Sequence, residues 1–403
     1  MRIAMIGTRG VPAAYGGFET AVEEIGRRMV ENGHEVTVYC RRSDERPRST
    51  YLGMNLVHLP ALHLKTAETL SHTGFSVAHA ITHRRPDAAF VFNAANAPFL
   101  PALRARGIPV AVHVDGLEWK RDKWGANGRR YYRWAESMSV RWADALIADA
   151  DGISRYYRDE FAVPTELLTY GAKILTDTPT DRLAELDLEP GGFHLVVARF
   201  EPENHVDVIV EGYRQSAATK PLIVVGSAPY AAEHTQRIRE AAGADPRIRF
   251  LGGVYDQDLL DQLYAHAMTY LHGHSVGGTN PSLLRAMGAR TAIIAWDVEF
   301  NRDVAGPSAQ LFGSPADVAR LLGIAESRPE LVDADADAVQ KRAESVYRWD
   351  TVALGYEALA ERLVLGYSTS GESHPRAAGS ERSLAAKPRF VSTGTALSES
   401  RRR

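Results

Sequence analysis

The 403-residue sequence lacks most features of secreted or membrane-spanning proteins. It has one cysteine, Cys40, so neither a disulfide framework nor a cysteine-based metal site can form within the chain, and a reducing cytoplasm fits best. No stretch approaches the roughly 20 apolar residues of a membrane-spanning helix. The first apolar run meets Gly7 and Arg9 too early for a signal peptide. We therefore expect a cytoplasmic protein that at most touches a membrane surface.

A strong overall charge is also missing. The formal net charge of −3 excludes a generally basic nucleic-acid binder, so nucleic acid is not an expected partner. The charge is uneven, because residues 368–403 contain seven Lys or Arg and three Glu, which makes this segment +4 and the remainder −7. The same segment is poor in large apolar residues, which predicts a disordered tail.

What the sequence does contain is a repeated alternation of apolar runs and helical spacing. At this length two domains are expected. Short apolar runs predict parallel strands at 3–6, 35–39, 88–92, 109–114 and 145–148, and again at 193–197, 221–225, 248–251, 268–271 and 291–295. This pattern predicts an α/β protein with two doubly wound, Rossmann-like domains facing across a cleft, at residues 1–175 and 193–347. Residues 176–192 lack periodicity and are expected to form the linker.

Ligands of doubly wound sheets bind beyond the carboxyl ends of the strands, so the loops there are candidate sites. The first loop does not match G-x-G-x-x-G, which argues against a dinucleotide-dependent dehydrogenase. It does place Gly16 and Gly17 directly before a helix, where backbone N–H groups attract anions and small residues permit close approach. A plain tight turn would explain the same glycines.

Three further loops carry polar residues. Asp115 follows a strand, where α/β enzymes place working carboxylates, although surface aspartates are common. The segment 119–142 holds seven basic and two acidic residues among aromatic side chains; it fits either an anionic bilayer or a solvated helix with a buried aromatic face. Arg199 follows a strand and can clamp a phosphate. Residues 277–280 form a second anion-facing cradle, and no third ligand completes a metal site with the neighbouring histidines.

Four motifs together resemble a known family: GTRGVPAAYGGFET, HVDGLEWKRDKWG, ARFEPEN and HGHSVGGTNPSLLRAM. In this order they resemble the retaining nucleotide-sugar glycosyltransferases of family 4, which have the GT-B fold, and most closely their bacterial rhamnosyltransferase-like branch. The resemblance covers residues 1 to about 366. It implies transfer of a hexosyl group from a nucleotide-sugar donor to a saccharide or polyprenyl-linked acceptor in cell-surface polysaccharide biosynthesis, without a cofactor. The stretch 348–367 resembles the last helix of this family, which crosses back to the N-terminal domain.

The resemblance also implies roles for individual residues. The catalytic residues would be Asp115, beside the reacting sugar, and Arg199, on the donor diphosphate. The other donor-binding residues would be Gly16, Gly17, Asn204, Gly277, Gly278, Thr279, Asn280 and Arg285. The acceptor side would comprise Arg9, Tyr15, Glu118 and Trp119.

The chain departs from the family pattern at several positions. Asn204 or His205 stands where wider relatives have a lysine. The wider family carries two glutamates eight residues apart. Gly277 stands at the first position, as is usual for this branch, and Arg285 stands at the second, where a glutamate holds the donor ribose. An arginine cannot accept hydrogen bonds from ribose hydroxyls. Two alternatives therefore stay open: a catalytically degenerate GT-B binding subunit of a polysaccharide assembly complex, and a GT-B nucleotide-sugar epimerase.

Overall fold

The first half of the chain folds around one largely parallel sheet. A computed structural model describes residues 1–13, 16–42, 47–62, 68–83, 85–114, 116–121, 124–228 and 231–369. The strands of the first sheet are β1 (Arg2–Ile6), β2 (Glu35–Arg41), β3 (Thr50–Tyr51), β4 (Met54–Leu59), β5 (Ala88–Phe92), β6 (Val110–His113), β7 (Ala145–Ala148) and β8 (Glu166–Leu167). They lie in the order β3-β4-β2-β1-β5-β6-β7-β8, and within this order β3 and β4 are antiparallel.

Helices cover both faces of this sheet. They are α1 (Gly17–Glu31), α2 (Glu68–Thr82), α3 (Leu100–Ala105), α4 (Ala126–Trp142) and α5 (Asp151–Phe161), with 3-10 turns at Ala94–Phe99 and Glu118–Lys120. One layer of the core packs Met5 and Phe90 with Val22 of α1. The other packs Ile6 with Leu100 of α3.

The second half repeats the architecture. Its strands are β9 (His194–Val197), β10 (Leu222–Val225), β11 (Ile248–Gly252), β12 (Thr269–His272), β13 (Ala292–Trp296) and β14 (Gln310–Phe312). They form a parallel sheet in the order β11-β10-β9-β12-β13-β14. The helices are α6 (Val206–Gln215), α7 (Ala232–Ala242), α8 (Gln257–His266), α9 (Pro281–Gly288), α10 (Glu299–Ala305), α11 (Pro315–Ser327), α12 (Pro329–Val346) and α13 (Trp349–Val364), with 3-10 turns at Ala184–Leu186 and Pro202–Asn204.

The α/β prediction is confirmed, and both sheets reverse their strand order next to their first strand. This reversal occurs at β1 in the first sheet and at β9 in the second. Each predicted strand is present within about two residues of its expected bounds. The short strands β3, β8 and β14 and the longer β4 were not predicted. A two- or three-residue strand carries too little apolar pattern to be detected.

Helix α13 returns to the N-terminal domain and packs against α1. Tyr356 contacts Phe90 edge-to-face, with ring centroids 5.0 Å apart. At the rim of this contact Asn32 donates to Glu357 at 2.8 Å, and Arg28 pairs with Asp350 at 2.7 Å. The last helix therefore joins the two halves through buried aromatic packing and polar contacts at its edge.

The stretch between the two sheets lies against α8. Arg182 donates its backbone N–H to Gln262 at 2.9 Å and its guanidinium pairs with Asp256, also at 2.9 Å. At the other end of the described chain, the Thr369 N–H donates to the Asp144 carbonyl at 2.7 Å. The rest of the expected tail, residues 370–403, lies outside the described residues. No helix of the described part is long and apolar enough to cross a membrane.

Glu326 ties α11 to the start of β9 and β10. Its carboxylate accepts hydrogen bonds from the backbone N–H groups of Thr219 and Lys220 and from Nε2 of His194. Burial disfavours the charged carboxylate, but the bonds from His194 and these two amides outweigh it and lower the pKa of Glu326 to about 2. Burial lowers the pKa of His194, so this imidazole is neutral; it donates to Glu326 and accepts from the Thr269 hydroxyl at 2.8 Å.

We predict that Glu326→Gln lowers the free energy of unfolding by about 1–3 kcal/mol at pH 7, because a charged acceptor is lost. Since the folded-state pKa lies below the ordinary value, this contribution is present above about pH 5 and is lost as the pH falls toward 2. Denaturant unfolding from pH 3 to 8 should show a gap between the two proteins that narrows in acid. The exposed Glu344→Gln is the control; an equal gap at every pH would contradict the role of the charge.

Candidate active site

Two helix N-termini meet between the sheets. Gly17 begins α1 and Pro281 begins α9; a Cβ placed on Gly17 would lie 2.9 Å from Cγ of Pro281. Gly16 precedes α1 with a φ of 127°, a conformation that favours glycine. The Asn280 side chain caps α9 by accepting from the Ser282 N–H at 3.0 Å. The predicted Gly16, Gly17 and Asn280 therefore come together, and the positive ends of two helix dipoles point into one region.

The loop after β6 touches the loop after β12 through backbone. A Cβ on Gly116 would lie 2.6 Å from Cα of Gly277, so no side chain fits there. Gly277 has a φ of 142°, which also favours glycine. On the next residue, a Cβ on Gly278 would overlap the Asp149 carboxylate, and the Thr279 hydroxyl donates to the Asp149 carbonyl. The two domains are closed on each other at these loops.

The loop after β9 holds Arg199 at its start. The Asn204 amide donates to the Arg199 carbonyl at 2.8 Å, which fixes the backbone of the loop. Nη2 of Arg199 lies 3.3 Å from a carboxylate oxygen of Glu201, whose side chain is buried while that of Arg199 is one third exposed. The predicted Arg199 and Asn204 thus lie side by side, with an exposed guanidinium at the edge of the sheet.

Glu118 and Trp119 lie in the 3-10 turn after β6. Glu118 is buried and pairs with Arg121 at 2.5 Å, and the Trp124 indole N–H donates to its other oxygen at 3.4 Å. The Trp119 ring packs under the Arg133 guanidinium, 4.9 Å from the ring centroid. Glu118 therefore makes a charge pair within its own loop, and Trp119 lies toward α4.

A buried carboxyl group lies close to Trp119. Burial raises the pKa of Glu136 to about 7, although the hydrogen bond from Tyr156 and the positive charge of Arg133 oppose the shift. The Tyr156 hydroxyl donates to Glu136 at 2.9 Å. Burial on α4 therefore disfavours the charged form of the Glu136 carboxyl.

Two histidines, one at the end of β12 and one in the loop that follows it, stack on each other. The rings of His272 and His274 lie 4.4 Å apart and nearly parallel. Burial lowers the pKa of His272 to about 3 and that of His274 well below its usual range, so both are neutral. No group of three or more His, Cys, Asp or Glu suited to a metal ion occurs in the described ranges.

Arg285 is engaged away from the glycine loops. Its guanidinium donates to the Asp261 carboxylate at 2.6 Å and to the Gln257 side chain at 2.9 Å, both on α8. Lys173 pairs with the other oxygen of Asp261 at 2.5 Å. Two cations therefore share one carboxylate, and the predicted donor-binding Arg285 is held against its own domain.

Of the predicted acceptor-side residues, Arg9 is exposed, and its backbone N–H donates to Glu19 at 3.0 Å. Tyr15 and the predicted catalytic Asp115 lie outside the described residues. Sequence reasoning missed Arg121, Asp149 and Glu201. Arg121 lies in the motif HVDGLEWKRDKWG and Glu201 in the motif ARFEPEN, so their charges could have indicated a role in the site. Asp149 lies in none of the motifs and reaches the site only through the fold.

Two family models match the chain. Residues 1–173 match a domain of unknown function, DUF1972, and residues 193–323 match glycosyl transferases group 1. No curated protein sequence matches the chain significantly.

Solved structures match nearly the whole chain. Sucrose-phosphate synthase from Thermosynechococcus elongatus is 20% identical, with 90% of this chain and 99% of that chain covered and a TM-score of 0.77. Alr3699/HepE from Anabaena in complex with UDP is 14% identical, with 90% and 100% covered and a TM-score of 0.70. The same Anabaena protein in complex with UDP-glucose is 15% identical, with 90% and 100% covered and a TM-score of 0.69.

The protein therefore has the GT-B fold of glycosyltransferases. More specifically, residues 193–323 match the model of glycosyl transferases group 1, and they follow an N-terminal half that matches DUF1972.

We predict that Gly116→Ala separates the two domains, because the added methyl group meets backbone of Gly277 and cannot be relieved by a rotamer change. Small-angle X-ray scattering should give a larger maximum dimension than that of the wild type. Gly125→Ala is the matched control, since a Cβ there meets nothing within 4 Å. An unchanged scattering curve for Gly116→Ala would show that the loops give way locally and that the contact does not set the closure.

Proposed function

We propose that the protein is a retaining hexosyltransferase that uses a nucleotide-sugar donor and a saccharide or polyprenyl-linked acceptor in cell-surface polysaccharide biosynthesis, with rhamnose as a candidate sugar. The observation that carries this proposal is the closed contact between the domains, where the Gly16–Gly17 turn meets the α9 N-terminus and Gly116 meets Gly277. Arg199 and Arg121, which come from different domains, face the Glu201 carboxylate. The group 1 model on residues 193–323 and the UDP and UDP-glucose complexes of the Anabaena protein support a nucleotide-sugar donor.

The chemistry follows from the charges at this contact. Breaking the anomeric C–O bond moves negative charge onto the donor diphosphate. Arg199, with the positive ends of the α1 and α9 helix dipoles, would stabilise that charge in place of a metal ion. The closed Gly116–Gly277 contact would exclude water and so disfavour hydrolysis of the donor. Retention fits attack from the leaving-group side, with the departing phosphate helping to deprotonate the acceptor.

A basic face of α4 supports a peripheral contact with the inner face of the plasma membrane. Arg130, Trp134 and Arg141 are spaced along one side of this helix, and the Trp134 side chain is 49% exposed. An exposed tryptophan among arginines suits an interface that carries anionic headgroups. Arg133 of the same helix packs over Trp119, a residue that the resemblance assigns to the acceptor side.

We predict that one nucleoside diphosphate among UDP, GDP and dTDP, or a sugar conjugate of it, raises the melting temperature of the purified protein, because it binds only the folded state. Arg199→Gln should weaken its binding by about 10- to 100-fold, since a charge-assisted hydrogen bond is lost. Calorimetric titration gives the affinities, with the exposed Arg320→Gln as control. Failure of every diphosphate and sugar nucleotide to bind would refute the donor proposal.

Arg285 specifically favours the degenerate binding subunit as a second candidate. A group that accepts ribose hydrogen bonds is absent at this position, and the arginine is engaged by Asp261. Arg285→Glu alone would bring two carboxylates together and so confuse loss of function with repulsion. Asp261→Asn in the same protein removes this repulsion and leaves Lys173 nearby.

If the protein is a working transferase, Arg285 is part of a functional donor site and its replacement brings no gain. We therefore predict that the double variant Arg285→Glu/Asp261→Asn turns over the donor no faster than the wild type. A gain of about tenfold, equivalent to roughly 1.4 kcal/mol of transition-state stabilisation, would instead identify a decayed site. Asp261→Asn alone is the control. Product analysis with and without acceptor separates transfer from epimerisation.

A further inference from the structure

A chain of alternating charges crosses from the N-terminal to the C-terminal domain. Glu118 pairs with Arg121 at 2.5 Å within the loop after β6. Nη1 of Arg121 then lies 4.0 Å from Oε2 of Glu201, and Nη2 of Arg199 lies 3.3 Å from the same oxygen. One carboxylate of the C-terminal domain therefore faces two arginines that come from different domains.

The two guanidinium groups share a further neighbour. His274 is partly buried; burial lowers its pKa most, and His272, Arg199 and Arg121 lower it further. The positive charges of Arg199 and Arg121 therefore both lower the pKa of the same imidazole, that of His274 in the loop after β12. Arg121 is 16% exposed and Glu201 is 4% exposed, so this group of charges is largely withdrawn from water, and only Arg199 opens to solvent.

The C-terminal domain is short of positive charge at this place. The segment 199–205 contains one arginine and two glutamates, and Asn204 or His205 stands where the resemblance implies a lysine. The Asn204 amide is used on the Arg199 carbonyl. A donor diphosphate carries about two negative charges, and burying it requires paired cations.

We propose that Arg121 is a second diphosphate-binding cation, supplied across the cleft by the N-terminal domain. The inference rests on the proposed nucleotide-sugar donor and deepens it. Arg121 reaches this position only when the loops at Gly116 and Gly277 are in contact, so binding of the diphosphate and closure of the domains are coupled. Glu118 is a positioning residue, because its carboxylate holds Arg121 toward Glu201.

The test measures affinity for UDP, GDP and dTDP and for the corresponding monophosphates by calorimetric titration. Arg121→Gln should weaken binding of the preferred diphosphate by about 10- to 100-fold. The monophosphate should lose much less, so the selectivity for diphosphate falls. Arg121→Lys keeps the charge and should recover most of this selectivity. Arg106→Gln, an exposed arginine of the same domain, is the matched control.

Each possible result either supports or overturns the role proposed for Arg121. Wild-type diphosphate affinity in Arg121→Gln overturns the inference while leaving the proposed function intact. Equal losses of monophosphate and diphosphate, with a lower melting temperature in both Arg121 variants, identify a structural role and also overturn it. If the wild type binds no nucleoside diphosphate, the proposed function fails first and the inference falls with it. Selective loss in the Gln variant and its recovery in the Lys variant support a cross-cleft cation.

Discussion

The backbone contact between Gly116 and Gly277 is the constraint on which the site depends. A Cβ on Gly116 would lie 2.6 Å from the facing Cα, so the two loops approach as closely as main chain allows. At this separation helix N-termini from both sheets open into one region, and charged side chains of one domain reach the other. Because this close approach excludes water, the interactions of charges and helix dipoles at the contact are stronger than they would be in solvent.

Packing that involves none of the predicted catalytic residues also holds the two domains in this closed arrangement. Gly171 lies against the Trp349 indole at the start of α13, where a Cβ would meet the ring at 2.4 Å. The Ala172 N–H donates to the Tyr347 carbonyl at 2.7 Å. Tyr356 of α13 then packs against Phe90 of the first sheet. The chain thus passes between the domains twice, and Gly171 at the first passage packs against Trp349 at the second, which limits the relative orientations that the cleft can adopt.

Sequence patterns predict the fold well because the buried parallel strands are continuous apolar runs bounded by glycine. Gly16, Gly17 and the loop 277–280 are predictable for a related reason, since close approach permits few residue types. The partners of charged residues are less accessible. Glu118 can be placed in the right loop, but its pairing with Arg121 depends on a 3-10 turn, and the contact of Arg121 with Glu201 joins residues 80 positions apart. Asp149 enters the site only because β7 ends beside the glycine loop.

The two departures from the family pattern acquire a common meaning from their surroundings. Compared with the family that the chain resembles, the loop after β9 has Asn204 or His205 in place of a lysine, and α9 has Arg285 in place of a glutamate. The added charge does not replace the lost one, because Asp261 holds Arg285 against α8. The cation that does share a carboxylate with Arg199 comes from Arg121, in the other domain. A charge supplied from within one domain is present whether the cleft is open or closed, whereas one supplied across the cleft is present only on closure. The positive charge available to an anion at Arg199 therefore depends on the same contact that excludes water.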